Sequence, residues 1–244
     1  EALRVMCPSC DLTVIKHLVS VLNMRATPSR NKAARIKHPF EIWGAACKAM
    51  DDAHTTDELT PLHRSCAYRD ALALGLLARC PIRLKNLTQL TLSEQLRFDG
   101  SRWQCSFSGY ETKDKQPLHF ALPTDVTFVT CFERYLTEYR PVLLRDPHDE
   151  IANVLPSQLT GPFWISTRRK RMSQQALYCN ICQRSERLLC VRLNPHLMRD
   201  CAASACRAMR LNIFSLRPAF LATAPYQPPL GIMNSQACSP PART

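Results

Sequence analysis

Four cationic side chains stand in order along this chain. Arg83 opens a short helical segment, Lys113 falls in a hairpin turn, and His196 and Arg199 lie one turn apart on a late helix. Guanidinium groups suit phosphate in particular, because they are always charged and present a fork of N–H donors to two oxygens at once. Each of the four alone reads as a solvated charge. Their order and their structural settings carry the information. The whole chain leans the same way: 32 Lys and Arg against 20 Asp and Glu give a net charge of +12 and a pI near 9.3. That balance favours a polyanionic partner, nucleic acid ahead of an anionic membrane surface. Arg outnumbers Lys 24 to 8, a bias that GC-rich coding DNA would also produce.

A second basic cluster lies between Arg25 and Lys37, which holds five basic residues, Pro28 and no acid. It reads as a linker. Arg30, Lys32, Arg35 and Lys37 are either a solvated loop or a strap along a DNA backbone. Thirteen cysteines include two Cys-x-x-Cys pairs, Cys7/Cys10 and Cys179/Cys182. With no secretory signal, they are expected to be reduced thiols; Cys179 and Cys182 share one helix face, where core packing outweighs zinc binding. No metal site and no cofactor are expected.

The elements that position these groups follow from periodicity. Leu12, Ile15, Leu18, Val19 and Leu22 recur at helical spacing and predict a helix over 12–24. Pro39 opens a second helix that runs to about Ala53, and the polar stretch Asp51–Thr60 is a candidate boundary. A helix is expected from Cys66 to Arg79, ended by Pro81, and a short one from Arg83 to Leu90. Leu96–Phe98 and Trp103–Phe107 flank Asp99-Gly100 as a hairpin, with Pro117–Leu122 as third strand. Helix returns over 125–139, a short strand covers Phe163–Ser166, Ser173 caps a helix towards Cys190, and Pro195 opens the last. No apolar run is long enough to span a membrane. The chain opens on Glu1, as a fragment would.

Three stretches carry a resemblance: YRDALALGLLARCPIRLKNLTQLTL (Tyr68–Leu92), ETKDKQPLHFALP (Glu111–Pro123) and NPHLMRDCAAS (Asn194–Ser204). Over Tyr68–Ser204 the chain resembles the tyrosine recombinases, or phage integrases. The resemblance implies an α+β fold, mainly helical with a small antiparallel sheet. It divides the chain into 1–37, the end of a helical core-binding domain plus its linker; 38–205, an incomplete catalytic domain; and 206–244, an aberrant, disordered tail. It implies site-specific DNA recombination and integration, in which a tyrosine attacks a phosphodiester and leaves a 3′-phosphotyrosyl link, without metal or ATP. Arg83 and Arg199 would stabilise transition-state charge. Lys113, preferred to Lys115 because it follows Glu111-Thr112, would protonate the leaving 5′-oxygen, and His196 would bond the phosphate or help deprotonate the nucleophile. The partner is double-stranded DNA and the setting a bacterial cytoplasm; the tetramers in which family members act are not expected with this tail.

Two departures stand out. Many members have an acid one turn after the first Arg, where this chain has Asn86. The second is larger: an LLGH-type segment and a following tyrosine are both missing after Ser204. Tyr226, between Pro225 and Gln227, has no matching context. Cys201–Thr244 contains no Asp, Glu or Lys and six prolines. Joining the third base of each codon to the first two of the next, from Leu211 on, permits the string EHIQLAARLLGHRTISTT; Leu230–Asn234 then permits RHYE. The expectation is a slipped reading frame between about Ala202 and Leu211. As the sequence reads, it has no nucleophile and should not cleave DNA. The alternatives are a catalytically dead DNA-binding module and a non-functional pseudogene product.

Overall fold

The computed structural model describes residues 5–6, 9–25, 32–144 and 159–220, with side chains as far as Ala208. The chain divides into two units, Glu1–Ala205 and Cys206–Thr244. In chain order the elements are α1 (Thr13–Arg25), a 3-10 turn (Ala33–Arg35), α2 (Pro39–Thr55), α3 (Pro61–Arg79) and α4 (Leu84–Gln89). Then come β1 (Thr91–Leu92), β2 (Leu96–Phe98), β3 (Trp103–Phe107), β4 (Leu118–Ala121) and α5 (Val126–Arg134). A π turn (Tyr135–Tyr139), α6 (Arg140–Leu144), β5 (Gly161–Pro162), α7 (Gln174–Leu189) and α8 (Pro195–Phe220) complete it. The fold class is α+β, mainly helical, as the sequence predicts.

Local chemistry starts each helix where the residues ask for it. Pro39 and Pro61 occupy first-turn positions whose N–H would be unpaired anyway. Asp125 Oδ1 accepts from Phe128 N at 3.1 Å, and Ser173 Oγ accepts from Ala176 N at 3.1 Å. Nearly all of Tyr68–Ala78 is buried, so α3 is the central helix, apolar around most of its circumference. Its closest neighbour is α2, and the candidate boundary at Asp51–Thr60 is the last turn of α2 and the short connection that follows it. Gly75 permits the approach: a Cβ there would sit 2.7 Å from the Trp43 ring and 3.1 Å from the Ala46 Cβ. The apolar stripe of α1 has no such cover. Ile15, Leu18, Val19 and Leu22 are all exposed.

The sheet has the order β4-β3-β2-β1-β5. The hairpin β2–β3 pairs Leu96 with Cys105 and Phe98 with Trp103, and β4 pairs with β3 through Cys105↔Phe120. Asp99 closes the turn by accepting from Ser101 N and Arg102 N, both at 2.9 Å, while Gly100 takes φ +99. The expectation of a purely antiparallel sheet needs correction, because β1 pairs with β2 in parallel at Leu92↔Leu96. Ser93 lies at φ +69, so the chain sidesteps after β1 and runs on in the same direction instead of reversing. The expected strand Phe163–Ser166 is likewise displaced: β5 is Gly161–Pro162, and only Ile165 bridges, to Arg171.

After α5 the chain takes one wide turn, in which Arg140 N–H donates to Tyr135 O. Tyr135, Leu136 and Tyr139 are buried there, as are Arg140 and Leu143 beyond it. The Arg140 guanidinium is held by backbone carbonyls alone, Thr160 O at 2.7 Å and Pro162 O at 2.9 Å; burial lowers its pKa. α8 spans Pro195–Phe220, a stretch in which Ala, Leu, Met and Arg favour helix by propensity. Residues 221–244, with Tyr226, lie outside the described residues.

Candidate functional site

Arg83 is the residue before α4, extended at φ −68 and ψ 144. The helix it introduces is short and is fixed from behind. Trp164, fully buried, donates from Nε1 to Leu87 O at 2.8 Å. Phe163 N donates to Leu90 O at 2.9 Å, and Arg171 Nη1 donates to Thr88 O at 3.2 Å. Asn86 is buried, and the anionic partner of Arg83 is Asp114 instead, whose Oδ2 and Oδ1 lie 2.9 and 3.2 Å from Nη2.

Asp114 belongs to the loop joining β3 to β4. Its base is built from hydrogen bonds: Ser108 N donates to Glu111 Oε2 at 2.7 Å, and Thr112 Oγ1 donates to Gln116 O at 2.7 Å. Gly109 is required there, since a Cβ would meet Lys115 O at 2.8 Å. Lys113 stands at the exposed end of this loop between Thr112 and Asp114, and its ammonium makes no hydrogen bond or ion pair among the described residues.

Arg199 approaches from the first turns of α8. Asn194 Oδ1 caps that helix by accepting from Leu197 N at 2.8 Å. Ser185, fully buried, holds the α7–α8 corner by accepting from Leu193 N at 2.8 Å. Leu197, Met198 and Cys201 face the core, which leaves His196 and Arg199 exposed on the outer face.

These elements enclose an open cleft of about 610 Å³ whose lining includes Arg83, Arg199, Arg79, Thr112 and Asp114. Two of the four cations singled out in the sequence therefore meet on one space. Lys113 and His196 are not part of its lining; Lys113 sits between two lining residues and His196 precedes Arg199 by one turn. Arg79 is engaged with Asp125 and lies over the Trp43 ring. Arg199 has no hydrogen bond or ion pair among the described residues. The arrangement places one open guanidinium and one held by a carboxylate on the same space, chemistry that suits an anion. No tyrosine among the described residues lines the cleft; Tyr68 and Tyr135 are buried, and burial pushes both hydroxyls above the usual phenol range.

Three of the four linker cations have partners on the protein. Lys32 ion-pairs with Asp200 at 3.6 Å, Arg35 donates to Arg192 O, and Lys37 pairs with Glu41 at 2.8 Å. All three are partnered by the protein itself, docking the linker beside the start of α8. Arg30 lies outside the described residues. Among the described residues no three His, Cys, Asp or Glu side chains are grouped to hold a metal ion. Cys182 is buried and Cys179 half-buried on α7. No described helix is long and apolar enough to cross a membrane.

Reading by residue type misses two features. Asp114 gave no signal, being one of two acids in a polar loop. The run Arg168–Arg171 did carry one, four consecutive cations. No family model matches the chain, nor does any curated protein or solved structure.

Proposed function

We propose that this chain is a DNA strand-exchange protein of the tyrosine recombinase type, with a cleft that holds a phosphodiester and no nucleophile in the sequence as it reads. The convergence of Arg83 and Arg199, from opposite ends of the 38–205 region, on one open cleft carries this reading. A phosphate seated there accepts from both guanidinium forks, which stabilise the charge that gathers on its nonbridging oxygens at the pentavalent stage. In the complete reaction a tyrosine oxygen bonds to phosphorus as the P–O5′ bond breaks. The phenolic proton is lost to His196 or solvent, and the 5′-oxygen takes a proton from Lys113.

With no tyrosine among the described residues at the cleft, this reading has the reaction stop at binding. The second reading, a DNA-binding module without cleavage, is favoured by that same observation. One experiment separates the outcomes. A fluorescent duplex is titrated with the protein, Arg83→Ala and Arg199→Ala, and a nicked duplex is screened for covalent adducts. Each substitution is expected to weaken binding about tenfold, the scale of one charge-assisted hydrogen bond, and no adduct is expected. Wild-type affinity in both variants, or no salt-dependent binding at all, overturns the reading. An adduct abolished by Tyr226→Phe overturns the claim that the nucleophile is missing. Resequencing the coding DNA from Asn194 to the stop codon tests the slipped frame directly.

A further inference from the structure

Between Leu159 and Ser185 there is no Asp or Glu, yet Arg168, Arg169, Lys170 and Arg171 follow one another. The chain folds this run into a tight turn. Ser166 N donates to Lys170 O at 2.8 Å, and Arg169 N donates to Ser166 O at 2.9 Å. Ser166 Oγ donates to the same Lys170 O at 2.9 Å, and Arg169 takes φ +61 at the tip. Below the turn, Ile165 bridges to Arg171. The backbone is thus ordered before any ligand arrives, and little conformational entropy is left to lose on binding.

The cations in the turn have separate roles. Arg171 is spent on the protein: Nη1 donates to Thr88 O at 3.2 Å and Nη2 to Thr91 Oγ1 at 2.8 Å. Arg168, Arg169 and Lys170 remain exposed, and the side chains of Arg168 and Lys170 make no hydrogen bond or ion pair among the described residues. Concentrating unpaired like charges on a rigid turn costs free energy through mutual repulsion, which an anion relieves.

The location decides which anion. Arg171 joins the turn to the C-terminal end of α4, and Arg83 stands immediately before its first residue. Six residues of helix rise about 9 Å, so the turn is anchored one short helix away from the cleft. A polymer with a phosphate at every step, lying across Arg83 and Arg199, passes within reach of both. Lys32, Arg35 and Lys37 of the linker each have a partner on the protein, whereas the side chains of Arg168 and Lys170 have none among the described residues.

We infer that Arg168 and Lys170 form a second phosphate contact, gripping the sugar–phosphate backbone of duplex DNA beside the Arg83–Arg199 cleft. The contact rests on the DNA-binding reading above and deepens it. It positions the duplex and reads no bases, because both groups are flexible cations on a turn and not a helix or ribbon sized for a groove.

The test measures duplex affinity by fluorescence anisotropy across a salt series for the full chain, Arg168→Ala/Lys170→Ala, and Lys32→Ala/Arg35→Ala/Lys37→Ala. Arg171 is kept in both, so that α4 stays fixed, and circular dichroism checks the fold. Each phosphate contact contributes about 0.9 to the slope of log K against log salt. With Arg168 and Lys170 each engaging one phosphate, the turn variant is expected to flatten that slope by about 1.8 and the linker variant by less. An unchanged slope in the turn variant, with wild type binding normally, overturns the contact and leaves the DNA-binding reading standing. Absence of salt-dependent binding in wild type removes both. Loss of adsorption to phosphatidylserine vesicles, with duplex affinity unchanged, assigns the turn to a membrane surface and overturns the proposal.

Discussion

The carboxylate of Asp114 occupies the guanidinium that a phosphate would need, so removing it should tighten DNA binding. Nη2 of Arg83 lies 2.9 and 3.2 Å from the two Asp114 oxygens. The Arg83 side chain is 33% exposed and that of Asp114 67%. A pair this open to water is screened and contributes about 0.2–1 kcal/mol. The incoming phosphate also meets the carboxylate's negative charge, a repulsion of about 0.7 kcal/mol at ~6 Å in a water-like dielectric. Asp114→Asn removes both obstacles, about 0.9–1.7 kcal/mol together, or a five- to twentyfold gain in duplex affinity. Fluorescence anisotropy at low salt reads it, because salt would screen the effect. The cycle with Arg83→Ala isolates the pair: in that background only the repulsion remains, and the gain should shrink to about threefold. Equal gains in both backgrounds, or no gain in either, would refute the account of Asp114 as a competitor for Arg83.

Other expectations concern the scaffold around the cleft. Gly75→Ala places a methyl 2.7 Å from the Trp43 ring; despite the better helix propensity of Ala, overpacking should cost about 1–3 kcal/mol, read as a lower urea midpoint. Trp164→Phe leaves the Leu87 carbonyl without the indole donor 2.8 Å away, which should cost about 1–3 kcal/mol and loosen α4, so that duplex affinity falls along with thermal stability. Burial pushes the Cys80 and Cys105 thiols up to about 12. Iodoacetamide at pH 8 should therefore label the exposed Cys10, Cys190 and Cys206 and spare these two until the protein is denatured. Mass spectrometry of the alkylated peptides checks it, and early labelling of Cys80 would contradict the packing described here.

What was legible in the sequence was mostly local. Asp99-Gly100 announces its hairpin because the carboxylate takes the turn's N–H groups and glycine accepts the left-handed backbone. The starts at Pro39, Asp125 and Ser173 are written in the same way, by residues whose chemistry suits a first turn, whereas α3 begins at Pro61, ahead of the expected Cys66. Ser93 was illegible: nothing in its type demands φ +69, and tertiary packing imposes the kink that makes the sheet mixed. Arg83 and Arg199 could be picked out as an ordered pair, but their meeting at one cleft depends on how α4 and α8 pack. The linker shows the same limit: the partners of Lys32, Lys37 and Arg35, namely Asp200, Glu41 and the Arg192 carbonyl, are scattered in sequence, and no pattern of residue types announces them.

The wide turn at Tyr135–Tyr139 has a consequence for how this segment tolerates change. Phe128, Phe132, Leu136 and Arg140 are all buried and recur every fourth residue. On a regular α-helix a four-residue repeat drifts about 40° with each step, so the stripe would wander off the core by roughly a third of a circle. A turn closed five residues back, from Arg140 N–H to Tyr135 O, unwinds the helix enough to bring the stripe back into phase. Substitutions inside the turn disturb packing at one position. Losing a single residue there lets the segment close as a regular α-helix, in which Phe128 and the Arg140 side chain stand eleven residues, about three turns, apart and so keep one face. For this stretch the wide turn is where a change in chain length is absorbed, while the four buried residues of the stripe are fixed by packing.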